Sequence, residues 1–211
     1  MAAELGKMPK PSVDTYSTKR KLLFVPLIFA PPESPLDFIA LFNKYWEQID
    51  THLHNLESKL GNVTKIYHEM VPKGADDLVK AVEELNEASS QIIKRRLEQN
   101  AELQPIEDMD ILTEFMDWSK CLIIGLQNPR VITKVHQAYM EAQKKRSEEI
   151  IKTLDESLGQ GDIGLLFMIE GHHIQFPSDI EVFYIAPPAL DEIKRWSRSQ
   201  EVKSRSEQTA D

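Results

Sequence analysis

The sequence predicts an α/β fold: a small mixed sheet built from strands at both ends of the domain, combined with an antiparallel bundle of four long helices. Three observations carry this. Strand-like segments lie near both ends of the chain, a continuous apolar run at 22–30 and shorter candidates at 63–71, 163–169 and 180–185. Between the two pairs of runs the apolar residues recur at intervals of three and four, the helical period. Pro and Gly stand at nearly every change of period, where they stop one element and start the next.

Leu22–Ala30 (LLFVPLIFA) reads as a strand covered on both faces, and Pro26, which lacks a ladder donor, predicts an edge position or a bulge. Pro31-Pro32 stops it. Ser34-Pro35 then supplies an N-cap and a first-turn proline for a helix over 35–60. Its apolar residues, Ile39, Phe42, Trp46, Ile49, Leu53, Leu56 and Leu60, alternate spacings of three and four without a break. That is the seam of a helix packed along its whole length on another helix. Val63–Val71 (VTKIYHEMV) is the second strand. Pro72-Lys73-Gly74 turns into a helix with Leu78, Val82, Leu85, Ile92 and Ile93 inward, broken at Leu103 to Pro105.

Residues 108–126 form a more apolar helix whose CLIIGL end is expected to be deeply buried. Asn128-Pro129 opens a fourth long helix that Gly159 closes. Ile163–Ile169 and Ile180–Ile185 are the third and fourth strands, and Pro187-Pro188 begins a short amphipathic helix. Residues 1–18 read as a flexible arm, 19–199 as a single α/β domain with its bundle at roughly 74–159, and 200–211 as a flexible tail.

The chain carries a formal charge of −9, and its first twenty-one residues are net positive, so the remaining body is more acidic still. An acidic body repels phosphate backbones, and no nucleic acid partner is expected. Leu22–Ala30 is too short to span a bilayer and contains Pro26, so no membrane contact is expected. A single cysteine, Cys121, cannot form an internal disulfide, which points to a reducing, cytoplasmic setting. Its apolar neighbourhood opposes a nucleophilic role. The chain contains no nucleophile elbow, P-loop, dinucleotide fingerprint, H-E-x-x-H or C-x-x-C.

The candidate site residues are Glu69, His172 and His173. Imidazole is the commonest metal ligand and titrates near neutrality, so His172 and His173 beside Glu170 offer a metal or acid–base site. On an extended backbone their side chains point to opposite faces, so only one can join a sheet-end pocket. The alternative is a polar turn that joins two strands, with Gly171 supplying a positive φ. Along the second strand, alternation separates His68 from Glu69, and a buried Glu69 carboxylate would need a partner. Glu69 and His172, each near a strand end, make a two-residue site that a divalent metal ion could complete. His52 and His54 do not share a helix face and are read as solvent-facing. His136 reads as a packing or cap-proximal residue. Lys94-Arg95-Arg96 and Lys144-Lys145-Arg146 are read as solvated faces paired with nearby Glu, such as Glu141 with Lys145.

In element order the chain resembles the TraB/ChaN-like superfamily: a strand, an acidic residue on a second strand, a helical block, then a glycine-and-histidine segment. The matching positions are Glu69 and Gly171-His172, with Arg146 a looser one. The resemblance implies a metal-assisted hydrolase or a ligand-binding role. The first glycine-to-histidine motif of that family is replaced here by Phe29-Ala30-Pro31-Pro32-Glu33. The primary expectation is therefore a non-catalytic cytoplasmic accessory protein that binds a partner or a second copy through helix 35–60. The alternative is a small metal-assisted hydrolase or ligand-binding protein with its site near Glu69 and His172.

Overall fold

A computed structural model of the chain describes residues 19–171 and 174–208. The elements run β1 (Arg20–Pro26), α1 (Leu36–Leu60), β2 (Lys65–His68), α2 (Leu78–Leu85), α3 (Glu87–Leu97), β3 (Glu102–Gln104), α4 (Met109–Ile123), α5 (Pro129–Ser157), β4 (Ile163–Met168), β5 (Ile180–Tyr184) and α6 (Pro188–Gln208). The sheet is ordered β3-β2-β4-β1-β5, and every pairing in it is parallel rather than mixed.

The two late strands look in sequence like the arms of a hairpin, but β1 lies between them. Leu23 is opposite Leu165 on one side and Phe183 on the other. The chain from β4 to β5 returns over one face of the sheet, where Ile174 and Phe176 join the core. β3 is only three residues long and hides in the stretch that reads as a helix break; Lys65 pairs with Glu102 to hold it at the edge. Pro26 is the last residue of β1, beyond the last pairing with β5 at Phe24, so its missing donor costs no bond there. Its carbonyl accepts from the Tyr45 hydroxyl of α1.

Right-handed crossovers assign the helices to faces. Connections from β1 to β2 and from β2 to β3 move toward one edge and lay α1, α2 and α3 over the face formed by Leu23, Val25, Ile66, Leu165 and Phe167, with α6 beside them. Connections from β3 to β4 and from β4 to β5 move the other way. They place α5 over Leu22, Phe24, Tyr67, Leu166 and Met168. The expected four-helix bundle is therefore split by the sheet, because buried parallel strands need cover on both faces. What remains of it is the α4–α5 hairpin, in which the Phe115 and Tyr139 rings lie 5.4 Å apart.

Several local expectations change for physical reasons. The α1 seam faces its own sheet: Tyr45, Trp46, Ile49 and Leu53 are buried, and the Phe38 ring lies tilted, 4.8 Å from that of Trp196 of α6. The helix expected after Gly74 breaks at Asn86, whose side chain accepts from Ser89 N and starts α3, while its amide donates to Ile28 O. α6 is longer than expected and carries helix through 200–208, where a tail was predicted. The CLIIGL end of α4 is exposed rather than buried, with Ile123 at 80% and Ile124 at 69%. Residues 1–18, read as a flexible arm, lie outside the described residues. Among the described residues no helix is long and apolar enough to cross a membrane.

Candidate functional site

Both polar residues at the end of β2 are buried, on opposite faces. His68 points toward α3. Its Nδ1 lies 2.7 Å from the Glu69 carbonyl and its Nε2 3.1 Å from Ser89 Oγ, with the Phe167 ring 5.8 Å away. Facing a carbonyl acceptor, Nδ1 carries the proton of the neutral ring, and the one proton of the Ser89 hydroxyl is shared between Nε2 and the Asn86 carbonyl 2.9 Å away. Burial pushes the His68 pKa down to about 4, with the Glu69 carbonyl pulling weakly the other way.

Glu69 points to the α5 face and meets two residues from distant parts of the chain. Arg146 of α5 donates from Nη2 to Glu69 Oε1 at 2.8 Å, and Ile169 N, just past β4, donates to Glu69 Oε2 at 2.6 Å. Arg146 also donates from Nε to Glu107 Oε2 at 3.0 Å and from Nη2 to Glu107 Oε1. Met70 N donates to Glu107 Oε1 at 3.1 Å. Glu107 reaches this position because 71–73 and 106–107 run side by side beyond the strand ends, joined by a Pro72–Glu107 bridge and by Lys73 N donating to Glu107 O at 2.8 Å. Met70 turns the chain between Glu69 and this bridge in a left-handed conformation, φ 67°, that a long side chain seldom adopts.

The guanidinium carbon of Arg146 lies 4.7 Å from the Phe115 ring centroid, so it stacks on an aromatic face as well as pairing with two carboxylates. All three charged side chains are buried. Burial works against the Arg146 charge, but the bonds and charges of Glu107 and Glu69 outweigh it and raise its pKa. Burial pushes the Glu69 carboxyl up, against the pull of Arg146 and of the Ile169 amide.

Glu69 and Arg146 of this triad line a cavity of about 460 Å³, while Glu107 holds Arg146 without lining it. Its walls are Leu112, Phe115 and Met116 of α4, Tyr139 and Ile150 of α5, and Met168 to Gly171 at the end of β4. The location follows from topology. β2 and β4 are neighbours whose onward connections leave on opposite faces, and such a reversal opens a crevice at the carboxyl ends of parallel strands.

Of the residues singled out in sequence, Glu69 is in this site, and the loosely matched Arg146 is bonded to it. His172 and His173 lie outside the described residues; Gly171, immediately before them, lines the cavity with φ 87°. His52, His54 and His136 are exposed, so His136 is not a packing residue. Each basic triplet buries its last member: Arg96 bonds both Glu57 oxygens, at 3.0 and 2.8 Å, and Arg146 holds the triad. Lys145 pairs with Glu114 across the hairpin rather than with Glu141.

Glu107 was missed. In sequence it is one of two acidic residues after Pro105-Ile106, and its neighbour Asp108 is the N-cap of α4, accepting from Asp110 N and Ile111 N. Nothing in the spacing separates the cap from the site residue. Among the described residues no group of three or more His, Cys, Asp or Glu side chains could hold a metal ion. The place between Glu69 and Glu107 is taken by the chain's own cation, Arg146.

No family model, curated protein or solved structure matches this chain.

Proposed function

We propose that the protein binds a small, largely apolar molecule in the cavity at the carboxyl ends of β2 and β4, without chemical turnover, in a cytoplasmic setting. The observation that carries this is the cavity itself: largely apolar walls over Glu69 and Arg146, which are already bonded to one another. Pockets with this balance hold ligands by shape and apolar contact and orient them with a few polar groups. Each oxygen of Glu69 and Glu107 accepts at least one hydrogen bond, which makes both carboxylates poor general bases. Glu69 and Glu170 in the lining are balanced by Arg146 and Lys120, so the polar end of the molecule is neutral. Ser119, Gln143 and Ser147 also line the cavity and can hydrogen-bond such an end.

The reading as an accessory protein docking a partner or a second copy through residues 35–60 needs an open seam. Trp46, Ile49 and Leu53 are buried under the sheet, which leaves α1 only its polar side. The metal-assisted alternative needs His172 or His173 to bring nitrogen to Glu69 and Arg146 to give way.

Nile red, a neutral apolar dye, tests the proposal. It is expected to bind saturably at one site and to lose about tenfold or more in affinity in Met116→Trp and Ser119→Trp, which fill the cavity from half-buried positions. Unsaturable binding, or equal affinity in both filled variants, would rule the cavity out as the binding site.

A further inference from the structure

The far end of the α4–α5 hairpin carries a second feature, which borders the cavity because Lys120 and Ile123 also line it. α5 runs from Pro129 to Ser157, and the stretch from Pro129 to Arg146 amounts to about 25 Å of helix. Before Arg146 the buried residues of that stretch are Val135 and Ala142, so the distal turns rest on α4 and not on the sheet. At the tip the chain turns through Gly125, φ 74°. Around that turn Leu122, Ile123, Ile124, Val131 and Ile132 are all exposed. A cluster of exposed aliphatic side chains at the end of a projecting hairpin is costly in water and marks a contact surface.

The charges nearby indicate what covers it. From Trp118 to Met140 the sequence contains Lys120, Arg130 and Lys134 and no Asp or Glu, in a chain whose formal charge is −9. Arg130 and Lys134 make no ion pair among the described residues, while Lys120 reaches back 3.0 Å to Asp117, both on the surface. Trp118 lies half-buried one turn behind the apolar tip. An apolar tip, a collar of cations and a nearby tryptophan make up the arrangement that settles into the headgroup region of an anionic bilayer. Two such tips would repel each other, which disfavours a tip-to-tip pair of this chain.

We infer that the α4–α5 tip is a membrane-surface anchor, with Ile123 and Ile124 inserting among the lipids and Arg130 and Lys134 meeting anionic headgroups. The contact is peripheral, so it needs no spanning helix. It departs from the expectation of no membrane contact, which rested only on the lack of a spanning segment.

The test is cosedimentation of the full chain with vesicles of phosphatidylcholine alone and of phosphatidylcholine with phosphatidylserine, at low and at high salt. The wild type is expected on the phosphatidylserine vesicles at low salt and released at high salt. Ile123→Asp/Ile124→Asp changes two exposed positions, so its melting temperature should be unchanged while its partitioning falls about tenfold or more. Arg130→Gln/Lys134→Gln should lose about fivefold for each cation removed. Absence of the wild type from both vesicle types would overturn the inference, as would equal partitioning of the aspartate variant. Sedimentation velocity supplies the remaining outcome: a wild-type dimer that the aspartate variant dissociates would make the tip an interface between copies instead.

Discussion

His68 should make the stability of this protein fall as the pH drops below neutrality, by an amount the structure sets. Its ring is fully buried, and its pKa is lowered from 6.5 to about 4, first by burial. Between those two values the unfolded chain binds a proton that the folded ring does not, so stability rises with pH across the window. The contribution is complete above about 6.5 and lost as the pH falls to about 4. A shift of this size corresponds to about 3 kcal/mol, a large share of the margin by which a domain is stable. Other groups titrate in the same range, and Glu69, whose carboxyl is pushed up, acts with the opposite sign.

The measurement is therefore a difference. Urea unfolding of the wild type and of His68→Gln is followed from pH 4 to pH 8, with His52→Gln as a control at an exposed position. Glutamine keeps hydrogen-bonding capacity beside Ser89 and cannot take up a proton. The advantage of wild type over His68→Gln should grow by about 3 kcal/mol between pH 4 and pH 7.5. An advantage that is constant to within about 1 kcal/mol would refute the reasoning, because His68 would then be protonated as readily in the fold as out of it.

Three further outcomes follow. Arg146→Met leaves two buried carboxylates without their cation and should cost about 3–5 kcal/mol in urea unfolding at pH 7, whereas adding Glu69→Gln and Glu107→Gln should recover much of the loss. A single-variant cost below about 1 kcal/mol would show that water reaches the triad. Gly164→Ala puts a methyl 2.8 Å from Leu22 Cδ1 and 3.1 Å from Leu158 Cδ1, and should cost about 1–3 kcal/mol. Adding Leu22→Ala should then cost less than that change costs alone, and strict additivity would deny the clash. Leu53→Asp should unfold the chain rather than dissociate a complex, because Leu53 has no exposure; a folded, monomeric variant would reopen α1 as a contact surface.

The parts of the fold legible in sequence are those that depend on neighbours along the chain. LLFVP and IGLLFM announce strands covered on both faces, and α1 announces its inward seam. The strand order was not legible, because β4 enters the sheet between two strands that precede it by many residues. A run of residues long enough to cross a sheet face and short enough to look like a turn reads as a hairpin, and only pairing with β1 distinguishes the two. The CLIIGL segment failed for the opposite reason. Its apolar content is real, but α4 leans on α5 alone near the hairpin tip, and no local pattern states how far a hairpin extends past the sheet.

The site shows the same division between near and far. Alternation required Glu69 and His68 to face opposite ways, and a buried carboxylate required a cation, but sequence alone could not choose which one. Two basic triplets were on offer, each amphipathic and each flanked by Glu. In both, the third residue turned inward to a carboxylate supplied from far along the chain, Glu57 for Arg96 and Glu107 with Glu69 for Arg146. The two pairs differ in what surrounds them. Arg96 closes a contact between α1 and α3, whereas Arg146 lies under an open cavity, stacked on Phe115, where the sheet changes direction. Buried charge alone therefore does not locate a site in this chain. Buried charge at the strand ends, beneath apolar walls that leave space above it, does.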